Sequence, residues 1–532
     1  MKNMNPIFSL KNFRSFGEDG ADFELAPITV LTGCNSAGKS SLVKALKLLA
    51  KQPVGDTLEG FSGKRKLPYM YLKASSKDLM LGGYNRVVHS MSQDGKIEFS
   101  YSIWSSFLHE EVVCRRIYRV KKAVLNDGML SRFSIEKKDG TIFYGGLPCR
   151  DSVVFNDGEV GDVDGIYEEE HFDAIRKNYE RFVAAYGYSY YVSLKKKLDD
   201  RDRPVKDKED DFYNRLVAKI EEGKKELEKV GMTIEEADEY DIDAISQWHE
   251  AKSYDDDSMI VRAYKEDLND DERQDLLQQT YYTCVINEIV SPWFISRLAT
   301  IDSSTNKISR VYNVDDHDKL SALLCDIVNR SSTYKYRSSA FVNDWLKKFE
   351  IGDCVEIEGT EDSYGVRIFI KNNEERRLLA DEGCGLTQII SVLLQIDTMK
   401  NRYSKLSVSS DFKEITEYGK SIISIEEPEV HLHPKYQSML ADLFVDAYQK
   451  FNIRYIIETH SEYLIRNLQV MVADKDNILS SNDVSLNYVE KDKNGVSSNR
   501  KIEILEDGRL SEPFGPGFFD ESKSLVMKML KF

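Results

Sequence analysis

Pro27-Ile-Thr-Val-Leu-Thr-Gly-Cys-Asn-Ser-Ala-Gly-Lys-Ser-Ser41 is the stretch on which the reading of the fold turns. Its first five residues form a short apolar run of the kind a buried strand requires. Gly33-x4-Gly38-Lys39-Ser40 then completes a P-loop pattern, and Leu42, Val43, Ala45, Leu46, Leu48 and Leu49 follow at helical spacing. Strand, glycine loop and helix in that order are the context in which the pattern has a mechanism. Backbone N–H groups of the loop and of the helix N-terminus surround phosphate oxygens. Lys39 reaches the β and γ phosphates, and the Ser40 hydroxyl joins a Mg²⁺ shell. A chance glycine-rich turn would need neither the strand nor the helix.

Three later stretches supply what such a loop lacks. Ser421-Ile-Ile-Ser-Ile425 is a buried-strand pattern that ends in Glu426-Glu427-Pro428. Acids delivered by a hydrophobic strand at its carboxyl end suit Mg²⁺ binding and the orientation of water. The first acid is more commonly Asp, so Glu426 is one methylene longer than expected. Arg454-Tyr-Ile-Ile-Glu-Thr-His460 is another short strand ending in polar residues. Alone, His460 reads as a satisfied structural histidine; in order after the other two motifs it reads as a γ-phosphate sensor. Asp381-Glu-Gly383-Cys-Gly385-Leu-Thr387-Gln388 precedes an apolar helix. It is either a second anion site or a simple helix cap.

Composition bounds the rest. The chain has 532 residues, 41% of them hydrophobic, and a formal net charge of −17. This length predicts several domain-sized units, and this sign argues against a protein covered in basic surface for nucleic acid. Seven scattered cysteines without a CxxC pair read as reduced thiols. No export signal and no transmembrane run is visible, so a cytoplasmic protein is expected. The expected fold is α/β, with a P-loop core, an antiparallel β lobe and a mostly helical insertion. Its parts are residues 1–160 (P-loop and lobe, with turns at Asn126-Asp-Gly and Asp139-Gly), 161–300 (insertion), 301–480 (the later motifs) and 481–532 (a tail). The insertion is rich in charge. Lys195-Lys-Lys197, Arg201 and Arg203 are interleaved with acids and read as a solvated helix face. His431 and His433 lack a third ligand, so a metal centre is not expected there.

Together these motifs resemble the ABC-type ATPase heads of the RecF/SMC/OLD group. Ile425-Glu-Glu-Pro-Glu-Val-His-Leu-His-Pro434, Ile456-Ile-Glu-Thr-His-Ser-Glu-Tyr-Leu464 and the tail Ile502-Glu-Ile-Leu-Glu-Asp-Gly508 with Pro516-Gly-Phe-Phe-Asp520 resemble predicted ATPases that carry a DUF3696 segment. The entry Leu10-Lys-Asn-Phe-Arg-Ser-Phe16 is similar to the start of such heads. The match covers about residues 5–50 and 375–525.

The resemblance implies a head that pairs with a second copy, as a homodimer or larger homo-oligomer, and traps ATP and Mg²⁺ between them. Gly33, Cys34, Asn35, Ser36, Ala37, Gly38, Lys39, Ser40 and Ser41 would hold the phosphates. Gly383, Gly385 and Thr387 of the other copy would complete the site, with Thr387 where the family usually has Ser. Ser40 and Glu426 would stand in the metal shell, Glu427 would orient the attacking water, and His460 would be the switch histidine. Gln52 is a poor candidate for a Q-loop glutamine.

Three functions follow as alternatives. The first is an antiviral-defence ATPase similar to the PtuA-like subunits of Septu and retron systems, acting as sensor or scaffold for a separate effector such as an HNH nuclease or Toprim-like protein. The stretch after His460 is short for a nuclease domain plus the tail, so any nucleic-acid contact is expected through that partner. The second is a RecF- or SMC-like DNA-repair ATPase. The third, motivated by Glu426, is an ATP-gated clamp that barely hydrolyses.

Overall fold

The computed structural model describes residues 5–50, most of 71–146, 207–234 and most of 292–530, with isolated residues and short pieces elsewhere. The chain divides into two compact units. One comprises residues 1–4, 52–72 and 100–292, the other residues 5–51, 73–99 and 293–532. Every candidate site residue lies in the second.

That second unit is built on a six-stranded sheet. Its order is Leu298–Ile301, Ser421–Glu426, Ile453–Glu458, Ile28–Gly33, Val484–Lys491, Ser497–Ile502. The first five strands run parallel and the last is antiparallel to its neighbour. Ile28–Gly33 and Ile453–Glu458 are buried at every position, and Ser421–Glu426 at all but its last. Apolar runs without alternation are what a parallel sheet covered on both faces demands. The consequence for function is positional: Gly33, Glu426 and Glu458 all end their strands on the same edge, where open α/β sheets bind ligands.

Helices cover this sheet for reasons visible in their sequences. Ser40–Ala50 buries Leu42, Val43, Ala45, Leu46, Leu48 and Leu49. Cys384–Arg402 is buried without interruption from Thr387 to Met399, so it is a core helix and not a surface one. Pro434–Phe451 starts with Pro at its first turn and stops at Asn452, whose φ of 53° is the left-handed conformation that ends helices. Glu462–Ala473 is capped by Ser461, whose side chain accepts from the Leu464 N–H.

The same unit holds two antiparallel features. Ile7–Lys11 and Ala21–Glu24 form an antiparallel hairpin with Phe8 and Leu10 buried. A second antiparallel sheet has the order Tyr312–Asn313, Gly365–Asn372, Cys354–Gly359, Lys335–Arg337, with Glu375–Leu378 also on Gly365–Asn372. Most of these strands, at two to six residues, give too few repeats for alternation to register.

In the other unit, Glu110–Lys121, Val124–Lys137 and Ile142–Gly146 pair antiparallel, the β lobe expected from the sequence. One expected turn is misplaced. Asn126-Asp-Gly128 lies inside a strand, at a register irregularity where Val120 faces Gly128 and Lys121 faces Val124. The irregularity absorbs the turn-forming residues without ending the strand. Asp139-Gly140 is a turn, with Gly140 at φ 87°. Within the expected insertion, the helix Asp207–Lys229 is described, and its exposed face carries Lys219–Glu222 and Lys224–Glu221 pairs at 2.8 and 2.6 Å. Lys195–Lys197, Arg201, Arg203 and Gln52 lie outside the described residues.

Candidate functional site

The P-loop joins strand Ile28–Gly33 to helix Ser40–Ala50, and its two outer glycines are required by contact as well as by conformation. Gly33 has φ 131°, and a Cβ there would lie 2.0 Å from the Val489 carbonyl oxygen on the neighbouring strand. Gly38 has φ 106°, and its Cβ would lie 2.4 Å from Ser15 Oγ. The loop is braced by the Ser497 hydroxyl, which donates to the Ala37 carbonyl, and by the Ser497 N–H, which donates to Ser15 O at 2.7 Å. Cys34, Asn35 and Ser36 are left exposed. Lys39 is buried, and its ammonium donates to the carbonyls of Gly33 (3.2 Å) and Cys34 (3.0 Å), folded over the loop. Burial lowers its pKa, against the opposing pull of Glu458 and Glu427. The Arg14 guanidinium adds a second cation here, donating to Ser41 Oγ at 3.3 Å.

Three carboxylates meet this loop. Ser40 Oγ donates to Glu458 Oε1 at 3.2 Å, while Glu458 Oε2 is buried without a hydrogen-bond partner. Burial raises the Glu458 pKa, and Glu426 and Glu427 push it the same way. Glu426 is raised by burial and then by Asp302, with Lys47 opposing from 3.8 Å. Glu427 follows at φ 46°, and its N–H donates to the Glu458 carbonyl at 2.7 Å. A left-handed non-glycine residue at the end of a buried strand is held there only by its surroundings. Converging carboxylates with one orphaned buried oxygen, beside a serine hydroxyl, are a set of hard oxygen donors. That set suits Mg²⁺, and Ser40, Glu426 and Glu458 are the residues that would hold it.

Glu458 is a site residue that the motifs did not single out, because the Glu-Thr-His stretch draws attention to its histidine. Its signal was the same one that marked Glu426: an acid at the carboxyl end of a buried apolar run. Asp302 was also missed. It follows the edge strand Leu298–Ile301, and Lys47 meets its Oδ1 at 2.9 Å while Lys319 pairs with its other oxygen. Burial and then the charge of Lys47 lower the Lys319 pKa to about 8.

His460 lies two residues beyond strand Ile453–Glu458. Its N–H donates to Glu429 Oε1 at 2.7 Å, and burial raises the pKa of that carboxyl. Its own pKa is lowered, by desolvation first and then by Lys39, so the neutral imidazole is favoured. His433 serves the fold: its Nδ1 accepts the Lys435 N–H at 3.3 Å and caps helix Pro434–Phe451. Among the described residues no group of three His, Cys, Asp or Glu side chains is placed to hold a metal ion, so a Mg²⁺ shell here would draw on two carboxylates, the Ser40 hydroxyl and the phosphates.

The Gly-Cys-Gly stretch forms the start of helix Cys384–Arg402. Gly383 and Cys384 are exposed, and Gly385 is packed so closely that a Cβ would lie 2.7 Å from the His431 carbonyl oxygen. Thr387 is fully buried, its hydroxyl without a hydrogen-bond partner. The element therefore presents main chain outward, and the threonine side chain lies inside. Gly33–Ser41, Glu426, Glu427, Glu458 and His460 are brought to one edge of the sheet. Among the described residues no hydrogen bond joins Gly383, Gly385 or Thr387 to the P-loop of the same chain.

The family model described as "AAA ATPase domain" matches residues 7–465, and a model described as a protein of unknown function, DUF3696, matches residues 479–529. No curated protein matches. Among solved structures, the chain is similar to the Smc head domain of Pyrococcus furiosus bound to the C-terminal domain of ScpA, at 12% identity and a TM-score of 0.32, covering 99% of this chain and 100% of that one. It is also similar to the SMC head domain of Thermotoga maritima, at 11% identity and a TM-score of 0.33, covering 94% and 100%.

Proposed function

Starting from the fact that this chain belongs to the AAA ATPase domain family, we propose that it binds and hydrolyses ATP between two copies of its second unit. The observation that carries this reading is the convergence of Lys39, Ser40, Glu426, Glu427 and Glu458 at the carboxyl edge of one parallel sheet. The P-loop N–H groups and the Lys39 ammonium take the phosphate oxygens, and Lys39 exchanges its loop carbonyls for them. Ser40, Glu426 and Glu458 would hold Mg²⁺, which would supply positive charge against the phosphates. Glu427 orients a water in line with the γ phosphorus and accepts its proton. Neutral His460 hydrogen-bonds the γ phosphate. Phosphoryl transfer of this kind asks for positioning and charge stabilisation, not a covalent intermediate.

The second copy supplies the start of helix Cys384–Arg402. Its exposed Gly383 and Cys384 offer N–H groups and the positive end of the helix dipole to the γ phosphate. Thr387 acts by packing that turn. ATP thus links the two copies, and hydrolysis releases them, a two-state element that a partner protein can read. In the preferred reading the partner is a separate nuclease or toxin in prokaryotic antiviral defence. A DNA-repair head fits the same family membership equally. The discriminating experiment is ATP turnover by the purified protein with and without duplex and single-stranded DNA, beside an ATP-dependent pull-down. Turnover indifferent to DNA with ATP-dependent capture of an effector supports the first reading; DNA-stimulated turnover without a protein partner overturns it.

A further inference from the structure

The histidine that this reading places at the γ phosphate has an unusual support. Its main chain is fixed by Glu429, but among the described residues its imidazole makes no hydrogen bond. The aromatic neighbour of the ring comes from the far end of the chain. Phe518 lies 6.5 Å from it between centroids, tilted by 45°. That is within the range at which aromatic pairs select their geometry.

Phe518 is itself held on several sides. Tyr488 packs edge-on to it at 5.9 Å, Phe514 lies at 4.9 Å and Phe519 at 4.6 Å. Tyr488 stands on the strand beside the P-loop strand, opposite Thr32. A Cβ on Gly515 would lie 2.3 Å from the Tyr488 hydroxyl, so the tail is pressed close to this strand. The far side is closed by the Arg466 guanidinium over the Phe519 ring at 5.2 Å. Arg466 lies on the helix that begins two residues after His460, so the cluster is anchored to strand Val484–Lys491 and to the helix that follows strand Ile453–Glu458.

We infer that Phe518 is a positioning residue for His460: the tail fixes the imidazole rotamer and so forms part of the hydrolytic apparatus. This rests on the reading that His460 acts in hydrolysis. Phe518 does not touch the phosphates in this scheme, so its removal lowers turnover without weakening the first encounter with ATP. The segment matched by the DUF3696 model then has a defined role, which is to hold the histidine in register with the P-loop.

The test uses the full-length protein and its ATP turnover. F518A is expected to lower kcat about tenfold while KM for ATP stays within about twofold, a rotamer penalty of about 1.4 kcal/mol. F518Y, which keeps the ring, is expected to restore at least half of the turnover. H460A is expected to lower kcat at least as much, and F518A added to H460A is expected to cost nothing more. If F518A does not fold, F518L carries the same expectations. H460A impaired with F518A or F518L at wild-type kcat overturns the inference alone. So does an F518A loss that persists in the H460A background, since the ring would then act elsewhere. H460A at wild-type turnover overturns both the inference and the histidine's proposed role.

Discussion

Lys39 shows how one side chain links sequence to chemistry. It is buried, and its ammonium is already satisfied by two loop carbonyls, so binding phosphate requires an exchange of partners. Charge-assisted hydrogen bonds are worth about 1.5–3 kcal/mol each, so K39A is expected to weaken ATP binding at least about 100-fold, measured by calorimetry. An affinity within a few-fold of wild type would remove Lys39 from the site. Glu427 behaves differently: E427Q is expected to bind ATP with unchanged affinity and to lose about 100-fold in turnover, the usual contribution of a general base. The sign of the His460 shift is open to measurement. Desolvation and Lys39 both lower its pKa, so by NMR it is expected to titrate below the ordinary 6.5. In K39A, with that positive charge gone, the value is expected to move up; no movement would mean that Lys39 does not face the ring. The site residues legible in the sequence were those in motifs whose order and spacing have a mechanism. Glu458 and Asp302 escaped because each takes its role from neighbours that are far away in the chain, Ser40 and Lys47.

Elements were legible where their period was sustained. The strands Ile28–Gly33, Ser421–Glu426 and Ile453–Glu458 read as buried runs, and the helix after the P-loop as an amphipathic stripe. The second antiparallel sheet was not legible, because its strands gain their partners only on folding, and local pattern carries no record of that pairing. The Asn126-Asp-Gly128 turn failed for a related reason: pairing over a long strand outweighed a local preference for turning. At this scale Gly33 is the most exacting position. It combines a left-handed φ with a 2.0 Å approach to the Val489 carbonyl. G33A is expected to cost about 3 kcal/mol by urea unfolding, because both the conformation and the strand spacing must give. A loss below about 0.5 kcal/mol would show that the spacing there is not as close as described.

For the whole molecule, every residue of the proposed site lies in the unit formed by residues 5–51, 73–99 and 293–532. Among the described residues no helix is long and apolar enough to cross a membrane. The proposed hydrolysis brings two copies together; among the described residues the exposed start of helix Cys384–Arg402 has no hydrogen bond to the P-loop of its own chain. Two native thiols mark the surfaces that must meet. Cys34 in the P-loop and Cys384 at that helix start are both exposed, whereas Cys114, Cys325 and Cys354 are buried. The sharpest test is therefore cross-linking with a short bifunctional thiol reagent, in E427Q protein with Cys149 and Cys284 replaced by serine. Pairing around ATP predicts a two-chain species on a denaturing gel that forms only with ATP and Mg²⁺ and is lost in C34S and in C384S. Cross-linking indifferent to ATP, or unaffected by either substitution, would contradict it.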